Sequence, residues 1–252
     1  MQLGEVLVVQ LLELEPDVDA RAWERFVTSE LARAWTAGLP GTELHLFMGD
    51  RGARKGRYAL VWTIETVARR EAGGHPDSRA PFGWDLLERA RKAGPARFMD
   101  AIAGTGAGAE YHLIEPESVG PLPQVEVLGI HYLKVRPDRR DAFERFVRAT
   151  LHPAVGNLRP DLRILYYKAV RGDQTSSDIA LFALTVASRD KYWPGGADSD
   201  ELRAAFTPVQ ALTGELSTYL VEGSYLSDPK FAAAVYESRE WADFVRIAPQ
   251  SR

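Results

Sequence analysis

Residues 5–31 read EVLVVQLLELEPDVDARAWERFVTSEL, and residues 126–151 read EVLGIHYLKVRPDRRDAFERFVRATL. Glu5-Val6-Leu7 falls on Glu126-Val127-Leu128, and Pro16-Asp17 falls on Pro137-Asp138. After a one-residue gap, Glu24-Arg25-Phe26-Val27 matches Glu144-Arg145-Phe146-Val147. The register then holds through Leu31 and Leu151, Pro40 and Pro160, and Arg51-Gly52 and Arg171-Gly172. One further residue of slip brings Ala59-Leu60 onto Ala180-Leu181, and Tyr111 and Tyr219 fall at corresponding places near the ends. Chance supplies any one of these matches, but their collinearity over a period of roughly 120 residues argues for a duplicated unit.

Both copies carry one pattern. Val6 to Leu14 and Val127 to Val135 are apolar runs stopped by Pro16 and Pro137, which suits buried strands. Trp23, Phe26, Val27, Leu31 and Ala34 recur at helical spacing, as do Phe143, Phe146, Val147, Thr150 and Leu151. Two strands follow in each copy, Glu43 to Met48 and Tyr58 to Ile64, then Arg163 to Ala169 and Ile179 to Val186, around the turns Gly49-Asp50-Arg51-Gly52 and Arg171-Gly172-Asp173. A second helical region is broken in both, at Gly94-Pro95 and at Thr207-Pro208, with Asp198 expected to cap its first piece and Glu201 to reach back. A last strand is expected around Tyr111 to Ile114 and Tyr219 to Val221, and Phe231 to Val245 reads as an amphipathic helix outside the repeat.

The fold class expected is therefore α+β, two tandem ferredoxin-like β-α-β-β-α-β units with antiparallel sheets. The first unit spans 1–118, a Pro-stiffened linker 119–124, the second unit 125–228, and a C-terminal helix and tail 229–252. Leu181-Phe182-Ala183-Leu184 and Ala59-Leu60-Val61-Trp62 are apolar on both faces, whereas a sheet with one wet face alternates. Pairing the two sheets face to face buries the second face without another subunit, leaving an intramolecular pseudo-dimer that is a monomer or a homodimer in solution.

Strand, helix, hairpin, split helix and strand, with a sheet that pairs face to face, resembles the dimeric α+β barrel superfamily. That group includes antibiotic-biosynthesis monooxygenases, muconolactone isomerases, polyketide cyclases, the EthD and NIPSNAP groups, and haem-binding relatives such as chlorite dismutases. The resemblance covers nearly all of the chain except the final helix and matches no catalytic motif. It implies a substrate pocket between the sheet and the helices of one unit.

On the first strand of the second copy, Gly129, His131, Leu133 and Val135 share the helix-facing side by two-residue alternation. His131 is a histidine on an apolar face, able to take a proton from a phenolic or enolic substrate, or else a buried histidine satisfied by a neighbour. Tyr166 and Tyr167 are consecutive, so one of them faces the pocket, to orient a substrate or partner His131, or simply to keep its hydroxyl wet. Phe143, Phe146 and Val147 are expected to wall the pocket, with Tyr192 and Trp193 at its opening as a lid or an aromatic-anchored turn. His152 is expected on an exposed helix stripe. His45 and His112 have no histidine or carboxylate at ligand spacing, so no protein metal site is expected. Gly104-Thr105-Gly106-Ala107-Gly108 lies between a helix and a strand, the reverse of a phosphate loop, and reads as a connector.

The copies differ at informative places. Gln10 stands for His131, Met48 for Lys168, and Trp62 for Ala183, which suggests a filled first half and a pocket in the second. Composition narrows the field further. A formal net charge of -4 gives no electrostatic case for nucleic acid or an anionic membrane surface. The absence of cysteine removes disulfides, thiolate metal sites, iron–sulfur clusters and cysteine nucleophiles together. The amino terminus lacks a basic n-region and no apolar run is long enough to span a bilayer, so a cytoplasmic protein is expected. The function expected is binding of an apolar or aromatic small molecule. It accompanies oxygenation, cyclisation or isomerisation without a cofactor, with His131 as base, or it serves as a binding or scaffold role alone. A haem protein with a histidine axial ligand is a further alternative.

Overall fold

The computed structural model describes residues 1–73, 83, 102–114, 125–155, 158–172, 177–222 and 241–248. Strands β1 (Val6–Leu14), β2 (Thr42–Gly52), β3 (Tyr58–Ile64) and β4 (Ile102–Leu113) come from the first half of the chain. The second half supplies β5 (Val127–Leu133), β6 (Leu162–Gly172), β7 (Asp178–Leu184) and β8 (Trp241–Arg246). They close into one antiparallel barrel in the order β1-β3-β2-β8-β5-β7-β6-β4. Each half thus presents its strands as fourth, first, third, second. The halves meet at two reciprocal seams, β2 against β8 and β4 against β6.

Closure explains the strands that are apolar on both faces. Leu7, Val9 and Leu11 of β1 point into the barrel with Leu128, Ile130 and Tyr132 of β5, where Tyr111, Tyr167 and Phe244 join them. The alternate residues Val6, Val8 and Leu12, and Val127 and Leu133, face outward under the helices. Each outer layer starts with a helix interrupted by a π turn. In the first half α1 (Ala20–Phe26) and α2 (Ala32–Gly38) flank a π turn at Val27–Leu31, and bury Trp23, Val27, Leu31 and Trp35. In the second half α4 (Arg140–Phe146) and α5 (His152–Val155) flank a π turn at Val147–Leu151, and bury Phe143, Phe146, Leu151 and Val155. Helices α3 (Val67–Gly73) and α6 (Val186–Tyr192) follow β3 and β7. Their first turns are satisfied alike: the Val67 amide donates to Glu5 at 2.9 Å and the Val186 amide to Glu126 at 3.0 Å.

Several expectations need correction. The helix expected through Val245 gives way to strand β8, in which Ala242 and Phe244 point into the barrel. A helical stripe through Phe231, Val235, Trp241 and Val245 conceals the two-residue alternation that a seat between β2 and β5 demands; residues 231–240 lie outside the described residues. Tyr219 ends helix α8 (Gln210–Tyr219), and Leu220 makes a single bridge to Val135. The counterpart of Tyr111 is accordingly Phe244, since Tyr111 opposes Leu7 and Phe244 opposes Leu128. Gly104 to Gly108 is part of β4. At Gly108 a Cβ would fall 1.9 Å from Gln10 Oε1, so the glycine there serves a close strand contact. Helix α7 (Asp200–Phe206) is capped by Ser199, whose hydroxyl accepts from the Leu202 amide, one residue beyond the Asp198 expected. The helix breaks at Thr207-Pro208, where the sequence places it, and the break takes the form of a short 3-10 turn; Gly94-Pro95 and the linker 119–124 lie outside the described residues.

The last slip of the sequence match is also one residue out. Leu60 opposes Gln10 while Ala180 opposes His131, so Leu60 corresponds to Ala180 and Trp62 to Phe182. Ala183, paired with Trp62 in the sequence reading, lies inside the barrel. Both strands run apolar without a break, and nothing in such a run marks which residue faces which side.

Candidate functional site

A cavity of about 340 Å³ lies between the outer face of the second half's sheet and its helices. Its floor is formed by His131 and Leu133 of β5, Ile164 and Tyr166 of β6, Ala180 and Phe182 of β7, and Trp241 and Asp243 of β8. Leu151, Val155, Leu202, Phe206 and Leu216 form the helix side, and Trp193, Arg51 and Arg189 stand at one end. Asp198, Arg203, Gln210 and Thr213 also border the cavity, whose lining is otherwise mostly apolar, and the volume sits at the small end of the range for drug-sized ligands.

The two halves differ here for readable reasons. At corresponding positions the first half carries Trp35, Leu60 and Leu46 where the second carries Val155, Ala180 and Tyr166. Trp35 and Trp62 are fully buried with ring centroids 4.8 Å apart, and the Trp35 indole N–H donates to Thr42. Smaller side chains at 155 and 180 leave space that Trp35 and Leu60 fill in the first half, while Phe182 stands in the place of Trp62.

His131 is partly open to the cavity. Its ring packs against Phe182 with centroids 4.6 Å apart and stacks on Trp241 at 6.1 Å. Burial pulls the imidazole down to about 4, so it is neutral at neutral pH. Of the consecutive tyrosines, Tyr166 lines the cavity, and burial pushes its hydroxyl well above the ordinary phenol range. Tyr167 points into the barrel, where its hydroxyl donates to the Gly4 carbonyl at 2.9 Å, away from the site. Leu133 and Trp193 border the cavity, whereas Gly129, Phe143, Phe146, Val147 and Tyr192 do not. The space above Gly129 is taken: a Cβ there would lie 3.1 Å from Asp243 Oδ1 and 3.2 Å from Phe182 Cβ. Phe143, Phe146 and Val147 instead pack in the layer between helix and sheet, and Tyr192 donates to Asp161. The turn at Trp193 is anchored by Arg51, which donates to the Trp193 carbonyl at 3.0 Å.

Sequence reasoning missed Asp243, Arg189 and Arg51, which converge at one end from three elements. Arg189 Nη1 lies 2.6 Å from Asp50, and its Nε donates to Asp190 at 3.0 Å. Arg51 Nη2 donates to the same Asp190 oxygen at 3.2 Å. Burial raises the Asp243 carboxyl to about 6, opposed by the Arg51 and Arg189 guanidiniums. The signal that could have found it is Glu110. The strand ladders place Glu110 opposite Val8 and Asp243 opposite Gly129, while Arg70 and Arg189 occupy the same place on α3 and α6.

His45, His112 and His152 are the remaining histidines among the described residues. His45 and His112, contrary to expectation, each have a carboxylate two residues earlier, Glu43 at 3.1 Å and Glu110 at 2.9 Å. His152 is half-buried rather than exposed. Among the described residues no three His, Asp or Glu side chains gather as metal ligands. For haem, His131 is the histidine that borders the cavity and would be the axial ligand. No helix among the described residues is long and apolar enough to cross a membrane.

No protein-family model and no curated protein matches this chain. Solved structures do. A candidate monooxygenase from Lactobacillus acidophilus superposes with a TM-score of 0.51 at 11% identity, covering 96% of this chain and 93% of its own. A candidate chlorite dismutase gives 0.52 at 13% identity, covering 98% and 96%. A candidate monooxygenase from Fusobacterium nucleatum gives 0.50 at 10%, covering 98% and 94%. These share with this chain the dimeric α+β barrel fold.

Proposed function

We propose that this dimeric α+β barrel uses the cavity of its second half to bind a small apolar or aromatic metabolite, and to oxygenate, cyclise or isomerise it without a bound cofactor. The observation that carries the reading is the chamber of about 340 Å³ bordered by His131, Tyr166 and Asp243. An apolar wall desolvates and orients the ligand, and the few polar groups offer sites for proton exchange. The reciprocal seams and matching π turns support treating the halves as fused copies of one unit, of which the first is structural and the second holds the ligand.

A metabolite-library thermal-shift screen tests the proposal. At least one aromatic compound should stabilise the protein, and its effect should vanish in Ala180→Leu, which carries the first half's residue at that position. A screen without any stabilising compound would leave the proposal without support. Recovery of the compound unchanged after prolonged incubation with air would favour binding without chemistry. An intense Soret band on adding haem would favour the haem alternative.

A further inference from the structure

The polar end of the cavity differs by one methylene from its counterpart in the first half. There, Glu110 and Arg70 form a buried bidentate pair, Nε to Oε1 at 2.7 Å and Nη2 to Oε2 at 3.1 Å, each side chain no more than 2% exposed. In the second half the carboxylate is Asp243, one carbon shorter, and the matching Arg189 has turned to Asp50 and Asp190. The Asp243 side chain has no hydrogen-bond partner among the described residues, and it lines the cavity.

We infer that Asp243 is the ligand-facing acceptor of this cavity, and that the occupant is an apolar ring system ending in a hydroxyl that donates to its carboxylate. This deepens the proposal above and rests on its cavity. The Asp243 carboxylate is half-buried and faces an apolar chamber, where a ligand hydroxyl supplies the donor that no described side chain or amide provides. The surrounding charges argue for a neutral donor. Arg51 and Arg189 face Asp243 from β2 and α6, and Asp50 and Asp190 already meet them. A ligand carboxylate would add to a set in which Asp243, Asp50 and Asp190 already outnumber Arg51 and Arg189, and Asp198 and Arg203, which also line the chamber, add one charge of each sign. A ligand ammonium at Asp243 would also approach both guanidiniums, a repulsion that a hydroxyl avoids. His131, neutral and on the adjacent strand, adds no charge. A carboxyl held near 6 also sits closer to a working general base than an imidazole held near 4.

Four naphthalenes of matched size test the inference by calorimetric titration at pH 7.5: 2-naphthol, 2-methoxynaphthalene, 2-naphthoate and 2-naphthylmethylamine. The expected order puts 2-naphthol about tenfold or more ahead of the methoxy compound, and both charged compounds behind it. In Asp243→Asn the naphthol advantage should fall to about threefold or less, with methoxynaphthalene affinity unchanged. Asp243→Glu, long enough to reach Arg189 as Glu110 reaches Arg70, should lose the same advantage and serves if the asparagine variant fails to fold. Equal binding of naphthol and methoxynaphthalene would overturn the inference while leaving the cavity proposal intact. Preference for naphthoate or for the amine would overturn it in favour of ion pairing. No binding by any of the four would remove the cavity proposal, and the inference with it.

Discussion

His131 and Asp243 illustrate how one apolar chamber moves two kinds of group in opposite directions. Burial stabilises the neutral form of each, so the imidazole falls from 6.5 to about 4 and the carboxyl rises from 3.8 to about 6. The consequences for stability have opposite signs. As pH falls from 6.5 to 4 the unfolded chain protonates this histidine and the folded chain does not, so the histidine costs stability across that window. Asp243 holds its proton in the folded chain up to about 6, so its contribution to stability is lost as pH rises from 3.8 to 6. His131→Gln should therefore flatten the acid-side fall in Tm, and Asp243→Asn should steepen it. Thermal melts between pH 4 and 7 check both. A slope unaltered in His131→Gln would mean the ring is hydrated and titrates normally. Tyr167 adds a control: it lies inside the barrel, and Tyr167→Phe should leave ligand binding intact while costing about 1 kcal/mol for the lost bond to Gly4.

At the scale of elements, β7 and β8 decide whether the cavity exists. Ala180 on β7 stands where β3 carries Leu60, so Ala180→Leu should fill the chamber, abolish ligand-induced stabilisation and leave Tm unchanged or higher. Retained ligand stabilisation in a folded Ala180→Leu protein would place the ligand elsewhere. On β8, Phe244 is fully buried in the barrel, and Phe244→Ala should cost about 3–5 kcal/mol in chemical denaturation. Most of the strands, the first helix of each half and the break at Thr207-Pro208 were legible because their apolar periods are clean and proline punctuates them. The helix-facing side of β5 was legible for the same reason, and with it His131 and Leu133. Trp241 to Arg246 was not, since six residues fit a helical stripe and a strand alternation about equally. With β8 misread, Asp243 had no place on a sheet and its likeness to Glu110 was hidden. Arg51 and Arg189 escaped notice because the site borrows one of them from the other half, a contact set by the β2–β8 seam and by no local pattern.

The whole molecule encloses both halves of its barrel in one chain, and that has a consequence for how it unfolds. Both seams, β2 with β8 and β4 with β6, are intramolecular, so every strand of the closed sheet has two neighbours without a second subunit. A barrel assembled from separate chains gains stability with concentration by mass action, whereas one closed within a chain does not. The denaturation midpoint should therefore be constant across a hundredfold range of protein concentration. Ending the chain at residue 222 removes β8 and bares the edges of β2 and β5, rows of unpaired backbone groups flanked by apolar side chains. That truncated chain should be recovered as aggregate or as an oligomer whose midpoint rises with concentration. A midpoint that climbs by several degrees per tenfold concentration in the intact chain would mean that the barrel needs a partner. The cavity, which takes Arg51 from one half and Arg189 from the other, would then have to be sought in the assembly.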